Sequence, residues 1–308
     1  MLRGLGRVCR AAYPLGMFGL LNIHKPAGPT SHDIVAGVRR LLGRGVRVGH
    51  AGTLDPFAEG VLVVCLGAAT RLAVYIQRQP KRYAAKIVLG ATSTTDDRQG
   101  LITHVPSAHH PNEQQVHDCL RSFVGHINQM PPAYSAVHVR GQRAYKLVRK
   151  GEKLDLPPRP VCVHEISLQR YEYPHLDVQV HCGTGTYIRA LARDIGACLS
   201  TGGYCSELTR SAVGNFRIED SVSPGNPDLQ HHLLPAALAV GALPKVTITG
   251  RDINLLAHGR PIKISHLPPS SEQEVAILNT AGELLAIAIV QDDRQMLRPT
   301  KVFISRQV

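Results

Sequence analysis

The chain has 308 residues, 44% of them hydrophobic, and a formal net charge of +12. That length suggests two domains at roughly 100–200 residues each. No apolar run reaches the ~20 residues that cross a bilayer as a helix, which argues against a membrane-spanning role. The positive excess favours a polyanionic partner through counterion release. Aromatic residues make up only 5% and Trp is absent, so a protein that stacks many bases is disfavoured, and recognition of a folded nucleic acid through phosphates and shape fits better. Seven Cys occur without a Cys-x-x-Cys pair, which argues against a zinc ribbon and fits reduced thiols in a cytoplasmic protein.

Residues 1–16 carry Arg3, Arg7 and Arg10 and no acid. Organelle transit peptides share that composition; the reading preferred here is a disordered tail or an upstream-start extension ahead of Met17. Gly19–Ile23 reads as a strand, followed by the turn-rich Lys25-Pro26-Ala27-Gly28-Pro29-Thr30. Ser31 is expected to cap a helix bearing Ile34, Val35, Val38, Leu41 and Leu42, with Gly43 ending it. A strand at Val46–Val48, the loop Gly49–Glu59 and an apolar strand at Val61–Leu66 follow. A helix is expected around Thr70–Gln77, then a strand over Arg82–Leu89 and a helix capped by Asn112.

The segment 130–159 is bounded by Pro131, Pro132, Pro157 and Pro158. Arg140, Arg143, Lys146, Arg149, Lys150 and Lys153 lie between them. It reads as a basic excursion from the core. Strands return at Val161–Tyr171 and Leu176–Cys182. A helix over Thr186–Leu199 aligns Ile188, Leu191, Ile195 and Leu199 on one face. After a strand-like Ser206–Ile218, an Ala/Leu-rich helix is expected to end near Leu243, and a composition shift at Pro244 opens a strand-dominated domain, 244–308. The expected class is α+β: a catalytic domain on a mixed or antiparallel sheet, 17–243, plus a small C-terminal β-barrel.

Three segments carry chemistry. In Gly49-His50-Ala51-Gly52-Thr53-Leu54-Asp55-Pro56-Phe57-Ala58-Glu59-Gly60, glycines flank a His and an Asp between strands, so backbone could approach a ligand closely. An Asp-Pro pair is also how an ordinary short helix begins. Gly183-Thr184-Gly185-Thr186 opens the helix bearing Arg189. A cation in a first helical turn opposes the macrodipole, so Arg189 calls for a carboxylate or phosphate partner unless it is simply solvated. In Lys81–Gly90, alternation places Tyr83, Ala85, Ile87 and Leu89 on one face, leaving Tyr83 as a core residue or a platform for a nucleobase.

On these residues the chain resembles the bacterial tRNA pseudouridine synthase B family. Lys25-Pro26-x-Gly28-x-Thr30-Ser31 is similar to its first motif. Gly49-His50-x-Gly52-Thr53-Leu54-Asp55-Pro56-x-Ala58-x-Gly60-Val61-Leu62 is similar to the second, and Gly185-Thr186-Tyr187-Ile188-Arg189-x-Leu191-x-x-Asp194-x-Gly196 to the third. Pro131-Pro132-x-Tyr134-Ser135-Ala136 opens a stretch resembling the family's RNA-gripping insertion. The resemblance implies an enzyme that isomerises a T-loop uridine of tRNA (position 55) to pseudouridine by base flipping. Asp55 would be the catalytic carboxylate, Tyr187 the base and Arg189 the partner of Asp55. Tyr83 would stack on the uracil and Leu208 would line its pocket; His50 and Lys25 would serve substrate binding.

The resemblance further implies that Arg140, Arg143, Lys146, Arg149 and Lys150 grip the T arm, and that residues 244–308 form a PUA-like RNA-binding domain. The chain departs from the family at His138, Gly183 and Thr184. No cofactor and no metal are expected, because the isomerisation involves neither redox chemistry nor hydrolysis, and the expected state is a monomer without guide RNA. Competing readings are a glycosidase, which usually needs two working carboxylates, a non-catalytic RNA-binding protein, and a guide-RNA-dependent relative without the 130–159 type of insertion.

Overall fold

The computed structural model describes residues 17–43, 45–106, 109–135, 138–139, 141–148, 151–152, 156–225, 228–264, 274–291 and 296–304; at 138, 139, 143, 145, 146, 229 and 230 it describes the backbone alone. The elements run β1 (Gly19–Lys25), α1 (Ser31–Leu42), β2 (Val48–His50), β3 (Glu59–Leu66), a 3₁₀ turn (Gly67–Leu72), α2 (Ala73–Arg78), β4 (Lys81–Leu89), β5 (Ala91–Ser93), β6 (Ile102–His104), α3 (Glu113–Ser122) and β7 (Gly125–Gln129). Then come β8 (His138–Val139), β9 (Gln142–Arg143), α4 (Ala144–Val148), β10 (Arg159–Glu172), β11 (His175–Cys182), α5 (Ile188–Cys198), β12 (Gly203–Val213), β13 (Phe216–Arg217) and α6 (Leu229–His232). A second 3₁₀ turn (Ala236–Val240) precedes β14 (Lys245–Thr247), α7 (Arg251–Ala257), β15 (Ile262–Lys263), β16 (Glu274–Leu278), β17 (Leu284–Gln291) and β18 (Met296–Val302).

The main sheet has nine strands in the order β1-β3-β12-β4-β11-β10-β7, with β2 on β3 and β13 on β12. Its pairings are antiparallel except for β3 with β12, where Thr209 faces Glu59 and Arg210 faces Gly60. That exception delivers the end of the Asp55 loop to the middle of the sheet. A Cβ on Gly60 would strike the Arg210 backbone, and Gly60 has φ 109°; only glycine permits this approach.

Successive residues of β3 enter different cores, as the two-residue strand period requires. Val61, Val63 and Cys65 join one apolar cluster, while Leu62, Val64 and Leu66 join a second, made with Ile34, Val35, Val38 and Leu42 of α1. Burial on both faces explains why β3 reads as an unbroken apolar run. A third cluster packs Ala85, Ile87 and Leu89 of β4 against Ile188, Leu191, Ile195 and Leu199 at α5, and Tyr83 lies half-buried at its edge.

Several boundaries differ from expectation. Thr30, not Ser31, caps α1: its side chain accepts from Asp33 N while Asp33 accepts from Thr30 N at 2.8 Å. The strand expected at Val46–Val48 lies at Val48–His50. The expected Ala/Leu helix does not form. The antiparallel bridge of Leu234 to Leu20 holds the chain extended, Pro235 cannot donate to a helical ladder, and a 3₁₀ turn follows. The hairpin β5–β6 has no counterpart among the elements expected from sequence. Residues 1–16 lie outside the described residues.

Beyond residue 244, a five-stranded sheet runs β14-β16-β17-β18-β15, mixed because β14 pairs with β16 in parallel. One face, with α7, encloses Val246, Leu256, Ile262, Val275, Ile277 and Leu297. The other contributes Ala276, Leu278, Leu284 and Ile287 to a cluster shared with Leu72, Tyr75 and Phe216.

Candidate active site

Asp55 sits in the β2–β3 loop, and nearly every handle of that loop is held by a buried donor. Ser31 Oγ donates to Leu54 O at 3.0 Å and accepts from Leu54 N at 2.9 Å. Arg210, itself buried, donates to Val61 O, Thr53 O and Gly52 O at 2.8, 3.2 and 3.2 Å. Lys25 has no exposed surface and donates to Pro26 O, Pro29 O and Pro56 O at 2.8, 2.8 and 3.4 Å. Burial lowers its pKa to about 8, although Asp55 acts in the opposite direction.

The carboxylate meets Arg189 in a fork: Nε donates to Oδ2 at 2.9 Å and Nη2 to Oδ1 at 3.3 Å. Asp55 keeps a third of its side chain exposed while Arg189 keeps only 4%, so the anion faces the opening and the cation lies behind it. The remaining guanidinium donors are also engaged. Nη2 reaches Tyr134 O at 3.0 Å, Nη1 reaches Thr95 O at 2.9 Å, and Asp97 Oδ2 lies 3.4 Å from Nη1. An arginine offers five N–H donors in a planar fork; four hydrogen bonds use them here, and Asp97 adds an ion pair beside Nη1. The unfavourable helix-dipole position is thereby answered by two carboxylates.

One turn on, Arg193 repeats the pattern, as i and i+4 share a helix face. It donates to Asp96 Oδ2 at 2.8 Å and to Met130 O at 2.9 Å. Asp96 adopts φ 60°; across that left-handed residue, Thr95 and Asp97 both reach Arg189. Burial raises the Asp96 pKa, opposed by Arg193 and Arg189.

Tyr187 is the residue just before α5. Its N–H donates to Gln129 Oε1 at 2.8 Å, and its carbonyl accepts from Gln129 Nε2 at 3.1 Å. Its hydroxyl pKa is raised, first by burial and further by Asp55, while Ser135, Arg189 and Arg159 act to lower it. Burial likewise raises that of Tyr83, opposed mainly by Arg210. The arrangement is a charged carboxylate at an opening, an arginine locking it from behind, and two tyrosines nearby.

This geometry has close relatives. A model of the TruB family pseudouridylate synthase N-terminal domain matches residues 39–188. The chain is 42% identical over 279 residues to the tRNA pseudouridine synthase B of Thermobifida fusca (strain YX), covering 88% of this chain and 94% of that one. The chain belongs to the tRNA pseudouridine synthase B family. The family's protein from Gloeothece citriformis (strain PCC 7424) is 39% identical over 94% of this chain and 98% of its own. Among solved structures, a chain of a Cbf5-Nop10-Gar1 complex superposes with a TM-score of 0.74 at 27% identity, covering 96% of this chain and 88% of that one. A chain of an H/ACA RNP bound to a substrate RNA containing 2'-deoxyuridine gives 0.73 at 25%, covering 95% and 87%.

For this family member, the structure brings together Asp55, Arg189 and Tyr187, with Tyr83 on the adjoining strand. His50 ends β2 at the mouth of the loop. Leu208 is buried in the cluster that also holds Leu54 and Ala85. Lys25, expected to serve substrate binding, is buried with its ammonium bound by three carbonyls, so it knits the first-motif turn to the Asp55 loop. Arg140, Arg149 and Lys150 lie outside the described residues, and at Arg143 and Lys146 only the backbone is described.

Sequence reasoning missed Asp97, Thr95, Gln129 and Arg210. The Ser93-Thr94-Thr95-Asp96-Asp97 run was a usable signal, being polar and turn-forming beside an apolar strand. Among the described residues no group of three or more His, Cys, Asp or Glu is arranged to hold a metal.

Proposed function

We propose that this synthase takes the T loop of tRNA as its substrate and isomerises one uridine there, with Asp55 as the working carboxylate. The observation that carries this reading is the fork of buried Arg189 on half-open Asp55. Arg189 lies between two carboxylates, Asp55 and Asp97, so the trio keeps net negative charge while Asp55 is fixed in direction. Such a group can assist glycosidic cleavage by nucleophilic or electrostatic action. Tyr187 is the candidate base for the last proton transfer. Tyr83 offers its face to the flipped base.

In this reading the basic residues of 130–159 hold the T arm, and the sheet beyond residue 244 is a PUA-like RNA-binding domain. The protein works as a cytoplasmic monomer without guide RNA or cofactor. The test is incubation of the purified chain with an unmodified tRNA transcript, followed by position-resolved mapping. Pseudouridine at one T-loop site supports the reading. Free uracil would mean hydrolysis, and an unmodified transcript would overturn it.

A further inference from the structure

The segment that leaves β7 does more than lead outward to basic residues. Its inner side touches the candidate base. Gln129, with 1% exposure, clamps the Tyr187 backbone from both sides. Ala144 and Leu156, both buried, pack against Tyr187. Tyr134 O accepts from Arg189. With backbone and ring held, the hydroxyl is what remains to be directed.

Beside it stands Ser135. Its side chain is 4% exposed, and its buried Oγ has no hydrogen bond of ordinary geometry. A buried hydroxyl without such a bond is destabilising, and the group that this one acts on is the Tyr187 phenol. We propose that Ser135 is a positioning residue for Tyr187, its Oγ–H donating to the Tyr187 phenolic oxygen so that this oxygen remains a proton acceptor beside Asp55. Three charged groups also act on Tyr187: Asp55 raises its pKa, Arg189 and Arg159 lower it, and Ser135 acts in the lowering direction. The inference rests on Tyr187 being the base.

The experiment compares wild type, Ser135→Ala, Ser135→Thr and Tyr187→Phe in the full chain. Pseudouridine formation is measured at saturating tRNA transcript across a pH series, with KM and thermal midpoint alongside. Ser135→Ala should lower the saturated rate about tenfold, equivalent to ~1.4 kcal/mol, at unchanged KM and midpoint. Because a lowering influence on Tyr187 is removed, the rise of rate with pH should move to higher pH. Ser135→Thr keeps a hydroxyl and should restore both rate and profile. Wild-type rate and profile in Ser135→Ala, beside an inactive Tyr187→Phe, overturn the Ser135 assignment alone. Tyr187→Phe retaining activity within about tenfold of wild type overturns the reading of Tyr187 as base. Equal losses in Ser135→Ala and Ser135→Thr mean a packing role and also overturn the proposal.

Discussion

The Asp55 loop and the 130–159 arm lie against the same helix but are held by opposite means. The loop is gripped by donors that are buried, polar and numerous: Ser31, Lys25, Arg210 and Arg189. The described part of the arm is held at Met130, Tyr134, Ala144 and Leu156, while its charged residues are the ones proposed to hold the T arm. The first design suits a group that must keep its direction within fractions of an ångström. The second suits a surface that must follow an RNA backbone.

The sharpest way to break this contrast is Asp55→Asn. Arg189 keeps Asp97, Thr95 O and Tyr134 O, so the fold should survive. Turnover should fall at least about a hundredfold, ~2.7 kcal/mol of barrier, with tRNA affinity near wild type, because affinity comes from phosphate contacts. Activity within about tenfold would remove Asp55 from the chemistry. Ser31→Ala asks whether the loop's wiring matters away from the carboxylate. It strips partners from both the N–H and the carbonyl of buried Leu54. A loss of about 2–3 kcal/mol in denaturant unfolding is expected, together with slower turnover. A loss under about 0.5 kcal/mol would mean that the loop holds itself.

Tyr83 sharpens the picture at the strand beside the loop. Tyr83→Phe keeps the ring face, whereas Tyr83→Leu loses roughly 1–3 kcal/mol of stacking; identical kinetics for the two would dismiss stacking. The arm should show the mildest and most distributed effect. Replacing Arg143, Lys146 and Arg149 with Gln should weaken tRNA binding. It should also flatten the slope of log affinity against log salt, by up to ~0.9 for each phosphate no longer neutralised. Saturated turnover should barely change. A large fall in saturated turnover with an unchanged slope would make the charges part of the active site.

The legible part of this site was the part with a local cause. A cation in a first helical turn asks for an anion, which made Arg189 interpretable without coordinates. Period-two alternation likewise placed Ala85, Ile87 and Leu89 inside and Tyr83 on their face. Asp97 was not legible, because its partnership depends on the β5–β6 hairpin being pinned to β12 by the Asp97–Cys205 bridge. The bracing contacts of Lys25 were hidden for a related reason. Its motif lies beside the site, but its burial depends on three proline carbonyls converging from two loops. The expected helix before Leu243 failed where a tertiary bridge at Leu234 outweighed Ala/Leu propensity.

The apolar cluster that joins Leu72, Tyr75 and Phe216 to Ala276, Leu278, Leu284 and Ile287 packs the C-terminal sheet against the rest. Around it, Phe18 stacks on Phe303, Arg71 donates to Val302 O, and the Tyr75 hydroxyl links Glu274 with Lys301. The boundary visible in composition at Pro244 is therefore expected to unfold with its neighbours on both sides. Cutting there would bare a greasy wall on the larger fragment and leave the smaller one lined on a single side. The two halves should melt together in one calorimetric transition, and an attempt to swap the C-terminal sheet for another module would have to rebuild the wall it leans on.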